Sequence, residues 1–136
     1  MSFDIDKFHR PPEEITVMCD YSADGIWVNG AASDMELVAE DFNMEYNDKL
    51  KKLQDKLNKW QAMYEKFDFW SDKADAEKTY TTPEFKEFLE LGEELAYEVR
   101  EIIPKDIPVI YFKEGKPNAR YIVNSDRTMI LKEKYG

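Results

Sequence analysis

A chain of 136 residues with 43% apolar and 14% aromatic side chains can bury one hydrophobic core but is too short for two independent ones. Its formal net charge of -10, from 29 acids against 19 bases, excludes the electrostatics that nucleic acid and anionic membranes require, because their phosphates would repel it. One cysteine and one histidine exclude an intramolecular disulfide and leave a tetrahedral zinc site short of ligands.

Residues 1–13 read as a flexible arm, because Pro11 and Pro12 fix φ and remove two amide donors in a charged segment. Met1 to Glu14 has no basic stretch followed by an apolar one, and no apolar run approaches the ~18 residues of a membrane span, so a reducing cytoplasm is the expected compartment. His9, in that arm, lacks the fixed partner that acid–base chemistry needs. Ile15, Val17, Cys19 and Tyr21 then alternate with Thr16, Met18 and Asp20, the period of a strand. Cys19 falls in the inward set, where a thiol behaves as a small hydrophobe. Ser22 to Gly25 supplies turn chemistry, and Ile26 to Val28 returns as a second strand that Asn29 and Gly30 end.

All of the net charge lies in residues 1–48, which hold twelve acids against Lys7 and Arg10, while residues 49–136 hold seventeen charges of each sign. From Ser33 to Asp48 the acids Asp34, Glu36, Glu40, Asp41, Glu45 and Asp48 meet no lysine or arginine. A surface of this kind is either simply well solvated or made for a basic partner.

Tyr46, Leu50, Leu53, Leu57, Trp60, Tyr64 and Phe67 recur at spacings of four and three, predicting a long helix with Asn43 as its cap and its apolar seam in the core. Asp68 to Thr82 loses periodicity and reads as a connecting loop. Thr81 or Thr82 can cap the next helix, with Pro83 in its first turn and a capping box from Thr81 to Glu84. That helix is expected to run to about Ile103, with Phe85, Phe88, Leu89, Leu95, Ala96, Val99 and Ile102 on one side and seven glutamates on the other. Gly92 lies within the apolar side, where glycine costs about 1 kcal/mol against alanine, so close approach of another backbone is its expected use. Val109 to Phe112, Ala119 to Val123 and Thr128 to Leu131 read as three further strands. Residues 1–136 are therefore expected to make one α+β domain, element order ββααβββ, with a mostly antiparallel sheet packed against two amphipathic helices.

No nucleotide-binding, nucleophile-elbow, zincin or EF-hand motif is present, and no cofactor is expected. Carboxylate pairs such as Asp20 with Asp24, or Glu40 with Asp41, are what so acidic a chain yields by chance.

Three spans together resemble a known group: Cys19-Asp20-Tyr21-Ser22-x-x-Gly25-Ile26-Trp27, then Leu53-x3-Leu57-x2-Trp60-x3-Tyr64, then Phe88-x3-Gly92-x2-Leu95-Ala96, followed by Val109-Ile110-Tyr111. Over about residues 15–112 the chain is similar to small bacterial immunity proteins of contact-dependent growth inhibition and related polymorphic toxin systems. The resemblance implies a cytoplasmic, non-enzymatic protein that binds the C-terminal toxin domain of a sibling or neighbouring cell, either occluding its active site or holding it inactive. Many such toxins are nucleases, whose basic grooves would suit an acidic partner. Asp34, Glu36, Glu40 and Asp41 are the preferred contacts, with Asp20, Asp24 and an apolar anchor at Tyr21 or Trp27 beside them, although Trp27 also suits the core. An adaptor that binds a host protein, or dimerises through the Tyr46 to Phe67 seam, is the alternative, and the oligomeric state stays open.

Overall fold

In the computed structural model, residues 11–67 and 77–135 are described. The expectations for residues 1–10 and for most of the Asp68 to Thr82 loop therefore lie outside the described residues. Nine elements follow one another: β1 (Ile15–Val17), β2 (Ile26–Val28), β3 (Ala31–Ser33), α1 (Met35–Asp41), α2 (Asp48–Lys66), α3 (Pro83–Ile102), β4 (Val109–Lys113), β5 (Ala119–Val123) and β6 (Met129–Lys134).

The strands form one sheet in the order β3-β2-β1-β4-β5-β6. Four of its pairings are antiparallel, but β1 and β4 run parallel in the register Ile15↔Val109, Thr16↔Ile110 and Val17↔Tyr111. The sheet is thus mixed, and the order ββααβββ gains a third strand, β3, and a short helix, α1, ahead of α2, while a further helical stretch ends at residue 79. The cause of the mixing is the helical crossover from β3 to β4, which returns the chain in the direction of β1; parallel neighbours need a connection of that length.

The third strand arises where the sequence suggested an end. Asn29 and Gly30 have φ of 51° and 80°, so both central residues of a two-residue turn are left-handed, the geometry that folds β3 back on β2. The acidic stretch likewise contains a helix: Asp34 caps α1 by accepting from the Leu37 amide at 2.8 Å. Asn43, expected to start α2, instead terminates α1, with φ of 55° and the Met44 amide donating to the Ala39 carbonyl. Asn47 caps α2, accepting from the Leu50 amide at 3.1 Å. At α3 the cap is Thr82, whose Oγ1 accepts from the Phe85 amide, whereas the Thr81 hydroxyl donates to the Lys78 carbonyl and forms no capping box.

Ile15, Val17, Ile26, Val109, Tyr111 and Val123 face the helices and join Leu53, Leu57, Trp60, Phe88, Leu95 and Val99 in the core. The α2 seam is spent inside the molecule, since Leu50, Leu53, Leu57, Trp60 and Tyr64 are all buried. Its two ends, Tyr46 and Phe67, are half-buried. Gly92 admits two side chains instead of the expected backbone: a Cβ there would lie 2.8 Å from both Trp60 Cζ2 and Tyr111 Oη. Trp60 donates its indole N–H to the Phe88 carbonyl at 3.1 Å, one turn earlier on α3.

Candidate functional site

Two glutamines on the inner side of α2 organise the acidic surface. Gln54 donates to the Asp24 carbonyl at 3.1 Å and accepts from the Met35 amide at 2.7 Å, so it fastens the β1–β2 loop and the start of α1 to one side chain. Gln61 accepts from the Asp20 amide at 3.2 Å and donates to the Asp20 carbonyl. A buried amide side chain that satisfies both backbone groups of one residue fixes its position. The Asp20 carboxylate, accepting from the Tyr21 amide at 2.8 Å, is exposed at the rim of the sheet.

Asp20, Asp24, Glu36, Glu40 and Asp41 are exposed, and Asp34 is half-buried by its capping role. Asp34 and Glu36 share one neighbourhood with Asp55 of α2: the Tyr46 hydroxyl is held above its ordinary value by desolvation, then by Glu36, Asp34 and Asp55 in turn. Leu37, 48% exposed on α1 between these acids, and Tyr21, 45% exposed with its ring 5.5 Å from that of Tyr64, supply apolar surface within the anionic one. Leu37 escaped the sequence reading because α1 did. Trp27 lies outside the core and away from α1, sharing a depression on the sheet with Asp20 but with none of the other predicted contacts. It sits on the sheet face opposite the helices, half-buried, and donates its indole N–H to the Met18 carbonyl at 3.0 Å.

The glutamates of α3 differ in kind. Arg127 meets Glu94 at 3.0 Å and Glu101 at 3.2 Å, Lys56 meets Glu98 at 2.9 Å, and Lys86 stands 4.0 Å from Glu90. Glu94 is accordingly held below the usual carboxylate range by its hydrogen bond from Arg127. Among the described residues Asp20, Asp24, Asp34, Glu36 and Glu40 make no ion pair.

A crevice of about 380 Å³ opens where β1 and β4 end side by side, lined by Met18, Cys19, Asp20, Tyr64, Tyr80, Phe112, Glu114 and Asn118. Glu114, which follows β4 directly, was missed as a member of an ordinary turn. Its carboxyl is pushed up to about 7, first by desolvation and then by the Asp20 carboxylate. Burial likewise pushes the Cys19 thiol far up, leaving no reactive thiolate there. Among the described residues no group of three or more His, Cys, Asp and Glu side chains could hold a metal ion.

The raised Glu114 carboxyl has a measurable consequence. The folded protein holds this proton more tightly than the unfolded chain, whose carboxyl titrates near 4.5, so the associated stability is full below that pH and is lost as pH rises through about 7. Glu114→Gln removes the dependence. In urea unfolding at pH 4.5 and pH 8, the wild type is expected to lose about 1–2 kcal/mol more than the variant, after discounting for solvent screening. Parallel losses in the two proteins would show that water reaches the carboxylate freely.

Compared with known proteins, residues 13–114 match the profile of a family described as Serratia CdiI immunity protein-like. The chain belongs to that family. The matched span of this CdiI-like chain runs from the residue before Glu14 through Glu114, and so takes in α1, α2, α3 and both parallel strands. It confirms the resemblance carried by the Cys19 to Trp27, Leu53 to Tyr64 and Phe88 to Ala96 spans. No curated protein and no solved structure matches the CdiI-like chain. Among the described residues no helix is long and apolar enough to cross a membrane.

Proposed function

We propose that this protein neutralises a cognate, basic toxin domain of the nuclease type in the cytoplasm by binding it, without chemistry of its own. Family membership indicates an immunity protein, and the charge distribution supplies the reading of its partner. The observation that carries the proposal is the contrast between two acidic surfaces. Four of the seven α3 glutamates, Glu90, Glu94, Glu98 and Glu101, are paired with Lys86, Arg127 and Lys56, while among the described residues Asp20, Asp24, Asp34, Glu36 and Glu40 have no cation. Like charges held together cost stability, and an opposite charge arriving from a partner relieves that cost and steers its approach. Leu37 and Tyr21 give the surface the apolar centre that interfaces concentrate their energy in.

The test is a fourfold variant, Asp34→Asn, Glu36→Gln, Glu40→Gln and Asp41→Asn, titrated against the C-terminal domain of whichever toxin-like protein the wild type protects against. Asparagine caps as well as aspartate, so α1 is retained. Affinity is expected to fall by roughly 100-fold or more at low salt, mainly through slower association, with the urea midpoint equal to or above that of the wild type because like-charge repulsion is relieved. Wild-type binding should weaken between low and physiological salt, and the variant's much less. Equal affinities would overturn this assignment of the interface.

A further inference from the structure

The crevice between the ends of β1 and β4 has a topological origin. These two strands are parallel neighbours, yet β1 leads away to β2 on one side and β4 to β5 on the other. Where the connections of adjacent parallel strands diverge, no backbone fills the space beyond their carboxyl ends, and ligands bind there. In this chain the space is walled by Met18, Phe112, Tyr64 and Tyr80, and two carboxylates, Asp20 and Glu114, line it.

Among the described residues neither carboxylate has a cation of its own. Lys116, 6.0 Å from the centre of the Tyr80 ring that walls the crevice, is paired with Glu77 at 2.8 Å. Among the described residues Glu114 makes no hydrogen bond or ion pair although it is half-buried, a costly state for a carboxylate unless an opposite charge arrives. Gln61 holds the Asp20 backbone on both sides and the Tyr21 amide donates to its carboxylate, which keeps this acid at the mouth of the crevice. A volume near 380 Å³ accepts one long side chain, and apolar walls suit the methylene stem of a basic one.

We propose that this crevice receives one lysine or arginine side chain of the protein partner, its stem against Met18 and Phe112 and its cation held by Asp20 and Glu114. The inference rests on the reading of the partner as a basic domain and names the part of that domain which enters. The acids of α1 then steer the approach over a distance, and the crevice takes a desolvated charge pair, the kind of contact whose loss accelerates dissociation. Entry of the cation ionises Glu114, so binding releases a proton below about pH 7. The groups facing Glu114 are Asp20 and Cys19 after β1, Tyr64 of α2, Tyr80 before α3 and Tyr111 of β4, while Lys116 in its own turn acts on Tyr80.

The test uses N-acetyl-lysinamide and N-acetyl-argininamide as probes, with N-acetyl-norleucinamide as the uncharged control, followed through backbone amide signals by NMR. The cationic probes are expected to shift Asp20, Glu114 and Asn118 at pH 8 with millimolar affinity. Binding should be roughly fivefold or more weaker in Glu114→Gln, and in Asp20→Asn, which keeps the acceptor for the Tyr21 amide. Wild-type affinity should fall on going to pH 6 while that of Glu114→Gln stays constant. Equal shifts with norleucinamide, or equal affinity in wild type and both variants, would overturn the proposal. No toxin is present in this titration, so its failure leaves the neutralisation reading standing, and failure of the fourfold variant to lose toxin binding leaves the crevice untouched.

Discussion

Arg100→Met is expected to lower stability by about 3 kcal/mol, roughly 10 °C in Tm for a chain of this size. Arg100 is 6% exposed, and its guanidinium donates to three carbonyls beyond the end of α3: Ile107 at 2.7 Å, Ile103 at 3.1 Å and Pro104 at 2.6 Å. These bonds fold Ile103 to Pro108 over the helix end and aim the chain into β4. Methionine keeps most of the stem's packing but leaves the carbonyls without their charged donor, so the loss isolates the hydrogen bonds. The guanidinium has no carboxylate partner, and burial depresses its pKa, with Asp106 acting in the opposite sense. Differential scanning calorimetry checks the figure; a loss under about 1 kcal/mol would mean that water replaces the guanidinium at all three carbonyls.

Gly92→Ala reverses the usual sign of a helix substitution. On an open helix surface the change would gain about 1 kcal/mol. Here the new Cβ meets Trp60 Cζ2 and Tyr111 Oη at 2.8 Å and Trp60 Cε2 at 2.9 Å, distances that real Cβ atoms do not show. Trp60 cannot retreat easily, because it is 1% exposed, stacked on Phe88 at 5.4 Å and hydrogen-bonded to the Phe88 carbonyl. An overpacking cost of about 2–3 kcal/mol, at the upper end of the usual range because two rings are met at once, outweighs the propensity gain for a net loss of about 1–2 kcal/mol, and Gly92→Val should lose about 4. Urea titration reports the stability, and the near-ultraviolet circular dichroism of the tryptophans reports the displaced ring. A stabilised Gly92→Ala would mean that α2 and α3 separate at little cost.

Much of this was legible from spacing. The apolar residues of α2 and α3 repeat over five turns or more, and β2, β4 and β5 are bounded by turn residues that leave little freedom. What the pattern hid was short or distant in cause. Asp34 and Asn43 open and close a seven-residue helix, but in a run of acids a capping aspartate looks like one more charge. The direction of β4 relative to β1 is invisible to periodicity, which is the same for parallel and antiparallel neighbours. Glu114 stands among Lys113, Gly115 and Lys116, a local setting that reads as solvated. Its burial comes from Asp20, Tyr64 and Tyr80, none of them near it in sequence. Of the proposed contacts, Asp34, Glu36, Glu40 and Asp41 share α1 and its cap, Asp20, Tyr21 and Asp24 share the loop beside it, and Trp27 belongs to another face.

The parallel pairing of β1 with β4 also governs when the molecule becomes competent. Ile15 must find Val109 across nearly the whole described chain, whereas the β1–β2–β3 meander and the β4–β5–β6 meander each close over a few residues. Contacts between remote segments are the slow ones to form, since the intervening chain must first surrender its freedom. On a ribosome, the Asp20 side of the crevice emerges early and remains half a site until Glu114 has cleared the exit tunnel. A cell making this protein gains the assembled crevice only from chains extended past Glu114, so products truncated before it would carry the acidic surface without the pocket beside it.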